Sequence, residues 1–556
     1  MATPAEGAPQ APAKHALSCY QCRARKLKCD RLLPCSRCSQ SGVQCHFPGS
    51  RQRPTNVAKR PRVKDLEARL MSLEGQFKCE QPSAPVAPGP QPPEARLVET
   101  GRIETLPPQS VVDELTNLYF TRLYTEAPMQ HPERYLASLH LPPHMQPPMC
   151  LQYVVLALAA SLSHGHGPLA LPYYHRARNY IQLDEMKNDG QDIMSVGHAQ
   201  CWVLLANFEA QHLWFSRASL SVSRAVRLVQ MLGLHDMETM NANSPTLPPP
   251  RDCCEREERR RTLWTVFCSD RLASSTTGWP ALMDAGRIKT LLPVSEEKFR
   301  HGLEEQSVTL HQALRDNSIK YSHFACRVLA AQLFHECLDH ISGHSPSEDM
   351  EDHDESDFWR RHRRLDNRLA VMFMALPDDL RCPEHVDNHD AVFLSLKLHT
   401  ASICIHRAEE AEAKKGVSVP PLGSTAAARS IAAAHEIFTI VARIGDVDAF
   451  FLNPFVAFAA FMAAMVYLED YAASHDKQSE GRLGHLMDFM IFISKRNPIT
   501  ASLTVQLAQE MQRTEVDRTA MDKVSDLTSD MDLDMPLMGQ HRRGTGEILF
   551  CPLQSK

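Results

Sequence analysis

The sequence predicts a small cysteine-rich module, a short coiled coil, and then a large all-α domain. Three observations predict it. Six cysteines between Cys19 and Cys45 run through the unit C-x2-C-x6-C twice. Apolar residues from Val63 to Phe77 recur at spacings of three and four. From about residue 110 to 512, amphipathic helical patterns follow one another with few strand signals.

Residues 1 to 17 are rich in Ala and Pro and read as disordered. Residues 19 to 45 carry Cys19, Cys22, Cys29, Cys35, Cys38 and Cys45. An isolated C-x2-C pair says little, but two pairs with matching third cysteines point to zinc. One tetrahedral zinc would strand two of the thiolates. Two zincs need eight bonds, and six sulfurs supply eight only if two of them bridge. The reading is a cluster of two zinc ions in six thiolates. A disulfide knot would need an oxidising compartment, and the first residues lack the charged-then-apolar pattern of a signal peptide. A metal store would not need the cations interleaved with the cysteines.

The spacing, the basic run from Arg23 to Lys28, the pair Asp30–Arg31 and the loop proline Pro34 resemble the fungal binuclear zinc-cluster transcription factors. The resemblance implies that Cys19 and Cys35 bridge the two metals. Cys22 and Cys29 would complete one zinc, and Cys38 and Cys45 the other. It further implies that the first short helix enters the major groove of double-stranded DNA at a CGG-like half-site. Lys26 would read bases with Arg25 beside it, one half of a homodimer.

The basic run has a physical reason of its own. A 27-residue segment with almost no apolar residues cannot fold by hydrophobic burial, so metal must supply the folding free energy. Arg23, Arg25, Lys26 and Lys28 are then displayed on a rigid cluster, where such side chains reach guanine edges and phosphates. Of the chain's 60 Lys and Arg, thirteen lie in residues 14 to 64 against one Asp, leaving 47 basic and 65 acidic side chains elsewhere. A cationic end on an acidic body suits nucleic acid at one end and protein partners at the other.

Residues 46 to 62 form a basic linker in which Arg51 and Arg53 would follow the phosphate backbone. The run Lys59 to Lys64 also reads as a nuclear import signal. In residues 63 to 78, Val63, Leu66, Leu70, Leu73 and Phe77 fall on a, d, a, d, a of a heptad. Arg62 and Arg69 then face Glu67 and Glu74 of a parallel partner, which favours a homodimer; the alternative is one amphipathic helix docked on the body. Residues 79 to 109 are a Pro-rich linker.

Predicted helices of the body are 111–126, 150–163, 173–186, 198–212, 216–232, 254–277 and 306–341, then 356–375, 388–413, 424–444, 455–472, 483–495 and 499–513. Ser221 to His235, Glu255 to Pro280 and Leu396 to Arg407 resemble the middle homology region of the same transcription-factor family. The uncharged run Ala449 to Leu468 is interrupted at Asn453–Pro454, too short beyond it to cross a bilayer, so a soluble chain with a buried core helix is expected. The eleven other cysteines, among them Cys79, Cys201, Cys268, Cys404 and Cys551, read as reduced thiols.

No phosphate-binding loop, dinucleotide fingerprint or nucleophile elbow is present, and no enzyme is expected. Glu257 and Arg261, four apart on a helix, read as an ion pair rather than an acid–base site. His335 and His340 lie about 140° apart on a helix and cannot share a metal. Residues 348 to 357 carry seven acids and read as a solvated insertion. In the acidic tail, 513 to 556, the stretch Asp526 to Met538 alternates hydrophobes with aspartates. It is a candidate activation segment for a coactivator groove, against a plain disordered tail. Regulators of this type govern metabolic pathways, including clustered genes for secondary metabolites, as the resemblance implies. A ligand-sensing regulator or repressor is the alternative, and a metal buffer a weaker one.

Overall fold

The computed structural model describes residues 18–25, 27–47, 107–238, 247–315, 321–341, 355–413, 425–445, 454–495 and 497–528. It divides into an amino-terminal unit, residues 1–94, and a helical unit, residues 95–556. The heptad at 63–78, Lys26, Arg51, Arg53 and most of both linkers lie outside the described residues.

The amino-terminal unit holds two five-residue helices, α1 (Tyr20–Ala24) and α2 (Ser36–Gln40). The helical unit runs α3 (Gln109–Arg122), α4 (Pro132–Ser138), α5 (Met149–Leu162), α6 (Ala170–Met186), α7 (Val196–Gln211), α8 (Phe215–Met231) and α9 (Cys253–Thr277). It continues with α10 (Glu296–His301), α11 (Leu310–Ala313), α12 (His323–Ile341), α13 (Glu355–Ala375), α14 (His389–Ala413) and α15 (Ala426–Arg443). It ends with α16 (Pro454–Ser474), α17 (Lys477–Ser494), α18 (Pro498–Arg513), α19 (Ala520–Lys523) and α20 (Ser525–Thr528). Among the described residues the only extended pairing is a single bridge, Leu291 to Thr309.

Local chemistry sets the helix ends. Ser195, Asp252, Thr425, Asp476 and Asn497 each accept a backbone N–H from the first turn of α7, α9, α15, α17 and α18. Gly278 closes α9 at φ +70°, a left-handed position that a side chain would strain.

Two hydrophobic cores fill the unit. One gathers residues from Val112 to Leu329, the other from Cys326 to Val524. Helix α12 is their common wall: Phe324, Ala325, Val328 and Leu329 face the first core, whereas Cys326, Ala330, Leu333, Phe334 and Cys337 face the second. The window of α16 apolar enough to cross a membrane is 78% buried inside this body.

Three expectations need correction. The helix predicted over 306–341 is two helices, because Thr309 and Gln312 form a capping box that starts the one-turn α11, and α12 begins afresh at His323. The helix predicted over 483–495 starts at Lys477, where Asp476 caps two amides. The folded body also passes residue 513, expected to open the tail: Ala520 and Val524 are fully buried and Leu527 packs on the second core. Residues 529–556 lie outside the described residues.

Candidate metal centre and nucleic-acid interface

The duplication read from the cysteines recurs in the backbone. Cys19 precedes α1 and Cys35 precedes α2, both in extended conformation. Arg23 N donates to Cys19 O at 3.0 Å, and Ser39 N to Cys35 O at 2.9 Å. Leu27 N donates to Cys22 O at 2.8 Å, and Val43 N to Cys38 O at 3.1 Å. Tyr20 N bonds to His46 O at 2.9 Å and joins the start of the module to its end. Between the repeats, the Asp30 carboxylate accepts Leu32 N at 3.3 Å and Ser36 N at 2.9 Å. That role for Asp30 was not drawn from the sequence.

Sulfur takes the place of a hydrophobic core. Cys19 and Cys35 are fully buried, Cys22 and Cys38 nearly so, and Cys29, Cys45 and Phe47 pack around them. The sulfurs gather into two tetrads, Cys19–Cys22–Cys29–Cys35 and Cys19–Cys35–Cys38–Cys45, each with its atoms within 4.8 Å of one another. Cys19 and Cys35 belong to both. The Sγ atoms of Cys19–Cys35, Cys19–Cys38 and Cys22–Cys35 are each 3.7 Å apart. Four sulfurs at about 2.3 Å from a tetrahedral zinc stand about 3.8 Å from one another, so the spacing fits. The Cys22 backbone N–H, 3.4 Å from Cys19 Sγ, holds the Cys19 thiol below its ordinary value, and the Cys38 amide does the same for Cys35.

Arg23, Arg25 and Lys28 are exposed, as are Arg31 and Arg37. Arg23 lies in the last turn of α1 and Arg25 caps it.

The helical unit contains a second polar concentration on α9. Glu257 and Arg261 pair at 3.1 Å, but both are buried. The Arg261 guanidinium also reaches Glu296 at 2.6 Å and Val294 O at 3.1 Å, 4.2 Å from the Phe299 ring centre. Glu257 accepts Val294 N at 3.0 Å and Arg260 Nη1 at 2.7 Å. About two and a half turns beyond, Asp270 accepts the amides of Leu282 and Met283, both at 3.0 Å. Apart from Arg260 Nε, which is buried without a partner, these groups bond to one another and to backbone, which is a structural lock. His335 faces Ser274 while His340 stacks on Phe358, so the two share no site.

Comparison with known proteins follows this geometry closely. Residues 17–54 match the fungal Zn(2)-Cys(6) binuclear cluster domain. Residues 116–373 match the fungal specific transcription factor domain. The chain belongs to the fungal Zn(2)-Cys(6) transcription factors. Its cluster domain binds zinc, members of the family bind DNA through it, and the family is one of transcription factors rather than enzymes.

Among relatives, the sorbicillinoid biosynthetic cluster transcription factor 1 of Penicillium rubens is 25% identical over 88% of this chain and 92% of its own. The abscisic acid cluster transcription factor abl7 of Leptosphaeria maculans is 25% identical over 71% of this chain and 80% of its own. The citrinin biosynthesis transcriptional activator ctnR of Monascus purpureus is 28% identical over 54% of this chain, and the match spans 59% of that relative.

Proposed function

We propose that this chain is a nuclear activator that binds paired CGG-like triplets as a homodimer and switches on one cluster of biosynthetic genes for a secondary metabolite. The observation that carries the reading is the pair of cysteine tetrads sharing Cys19 and Cys35. That sharing is what six thiolates need in order to hold two zinc ions. The resulting module is small, rigid and cationic, with Arg23, Arg25 and Lys28 available to phosphates and base edges. The names of the relatives, regulators of sorbicillinoid, abscisic acid and citrinin clusters, support the class of target genes.

Genome-wide occupancy combined with transcript changes on deletion tests it. The expected result is a paired triplet motif upstream of neighbouring biosynthetic genes whose transcripts fall in the deletion strain. Occupancy without any triplet, or transcripts that rise, would count against it.

One observation favours a second reading, in which the helical unit senses a small molecule. A cavity of 160 Å³ is lined by Lys397, Arg327, Thr265, Asn207 and Phe455 among others. Burial holds the Lys397 amine below its ordinary value, and Nζ lies 5.3 Å from the Phe455 ring centre. A mostly apolar cavity with a few polar groups suits a small ligand.

A further inference from the structure

A second group of metal-ligand side chains lies wholly within the helical unit. His362 is on α13; His406 and Glu409 are on α14 at i,i+3, and so share a face. Both histidines are 3% exposed. Nε2 of His362 lies 3.4 Å from Glu409 Oε2, and Nδ1 of His406 lies 3.5 Å from the same oxygen. The three atoms are within 4.8 Å of one another. Neither ring nitrogen has a hydrogen-bond partner.

These distances are long for hydrogen bonds and right for ligands. Nitrogen and oxygen donors about 2.0–2.2 Å from a tetrahedral ion stand about 3.4 Å apart. Two histidines of this unit come closer to a carboxylate, His323 Nε2 at 2.8 Å from Asp379 and His198 Nε2 at 3.2 Å from Asp184, whereas His335 Nε2 and His166 Nδ1 stand 3.4 and 3.6 Å from Asp339 and Glu114. What sets the His362–His406 pair apart is that two rings meet one carboxylate oxygen. His198 belongs to another buried trio, with Cys150 and Asp184, but both its nitrogens are engaged, Nδ1 with Ser195 Oγ at 2.8 Å. At His362 and His406 two buried nitrogens converge on one carboxylate oxygen at 3.4 and 3.5 Å.

The surroundings are those of a supported site. Arg429 on α15 holds Glu409 Oε2 at 3.1 Å and Asp366 Oδ2 at 2.7 Å, and Asp366 Oδ1 lies 3.7 Å from the far nitrogen of His406. Carboxylates behind a ligating imidazole, and groups that orient a ligating carboxylate, are the usual outer partners of a metal. Two carboxylates around one guanidinium leave an anionic surplus.

We propose that His362 Nε2, His406 Nδ1 and a Glu409 carboxylate oxygen form a mononuclear site for one divalent transition-metal ion, the donor set suiting zinc. Two nitrogens and one oxygen leave a fourth position open. The ion would fasten α13 to α14 and, through Arg429, to α15.

The test uses the full chain, stripped with a chelator, reloaded with zinc or cobalt, and analysed for metal. The chain should hold about three zinc ions, two in thiolates and one here. His362→Gln and His406→Gln should each hold one fewer, with unchanged helical circular dichroism. In the cobalt form, the sulfur-to-cobalt bands should persist in both variants while the weaker nitrogen–oxygen spectrum disappears. Two zincs in the unsubstituted chain, or three in folded variants, would overturn the proposal. Should a variant fail to fold, the metal count and cobalt spectrum of the unsubstituted chain decide alone. Failure of the cysteine cluster would show separately, as missing sulfur-to-cobalt bands.

Discussion

Cys19 and Cys35 hold their sulfurs 3.7 Å apart, each at the residue that introduces a five-residue helix. Both belong to both tetrads, whereas Cys22, Cys29, Cys38 and Cys45 each belong to one. Loss of a common sulfur and loss of a private one should therefore differ. Cys19→Ser should abolish nearly all thiolate-bound metal, and Cys45→Ser about half, read from the sulfur-to-cobalt absorption of the cobalt-loaded chain. Equal losses would show that Cys19 is not shared between the two ions.

Lys26 should read bases without supporting the cluster. Lys26→Ala is expected to weaken specific binding by about 1–3 kcal/mol with zinc content unchanged. A gel-shift titration beside metal analysis measures both. Zinc loss with DNA binding would make Lys26 structural.

The heptad at 63–78 gives a charge test. With Glu67 and Glu74 both changed to Lys, each would face Arg62 or Arg69 of the partner. Cooperative binding to a paired site should fall while binding to a single triplet is retained. Unaltered cooperativity would remove the parallel coiled coil.

Arg261 should be among the most sensitive positions in the helical unit. Arg261→Met leaves Glu257 buried with one ionic partner fewer and strips donors from Val294 O, Pro128 O and Glu296. Removing one side of a buried pair typically costs about 3–5 kcal/mol. Urea denaturation of the chain measures it, and Arg261→Lys should recover little because the fork of donors is lost.

Acid should loosen the same unit before carboxylates titrate. Burial, the first cause at both residues, lowers His335 and His399 to about 4, with Arg271 and Arg361 adding at His335. Their folded values lie below the unfolded value of about 6.5, so the unfolded chain binds more protons in between. The stability they contribute is complete above about 6.5 and is lost as pH falls toward 4, by up to about 1.4 kcal/mol per pH unit for each. Melting temperature against pH should show this slope, and His399→Phe should reduce it by that residue's share while His335 keeps its own.

How much of this was legible in the chain depends on how far apart the partners lie. Cysteines two and six residues apart declare their cluster because the ligands sit on one short loop and helix. Helix positions were legible where apolar periodicity was long, as at Phe215–Met231 and Cys253–Thr277. The seven-residue α4 was too short for periodicity, although Pro132 at its first position was a signal. The pairing of Glu257 with Arg261 was readable as i,i+4, but its burial was not, since Glu296 closes it from another helix. His362 escaped notice for the same reason: its neighbours His406 and Glu409 stand on the next helix, brought near only by packing.

The stretch recognised as the transcription factor domain stops at residue 373, inside α13, yet α12 lines both cores and α14 to α19 build the second. The border of that domain match is therefore not a place where the chain can be cut. A protein ended there would lay bare the oily flank of α12 and clump, and any deletion meant to isolate the acidic carboxyl end should begin beyond Thr528.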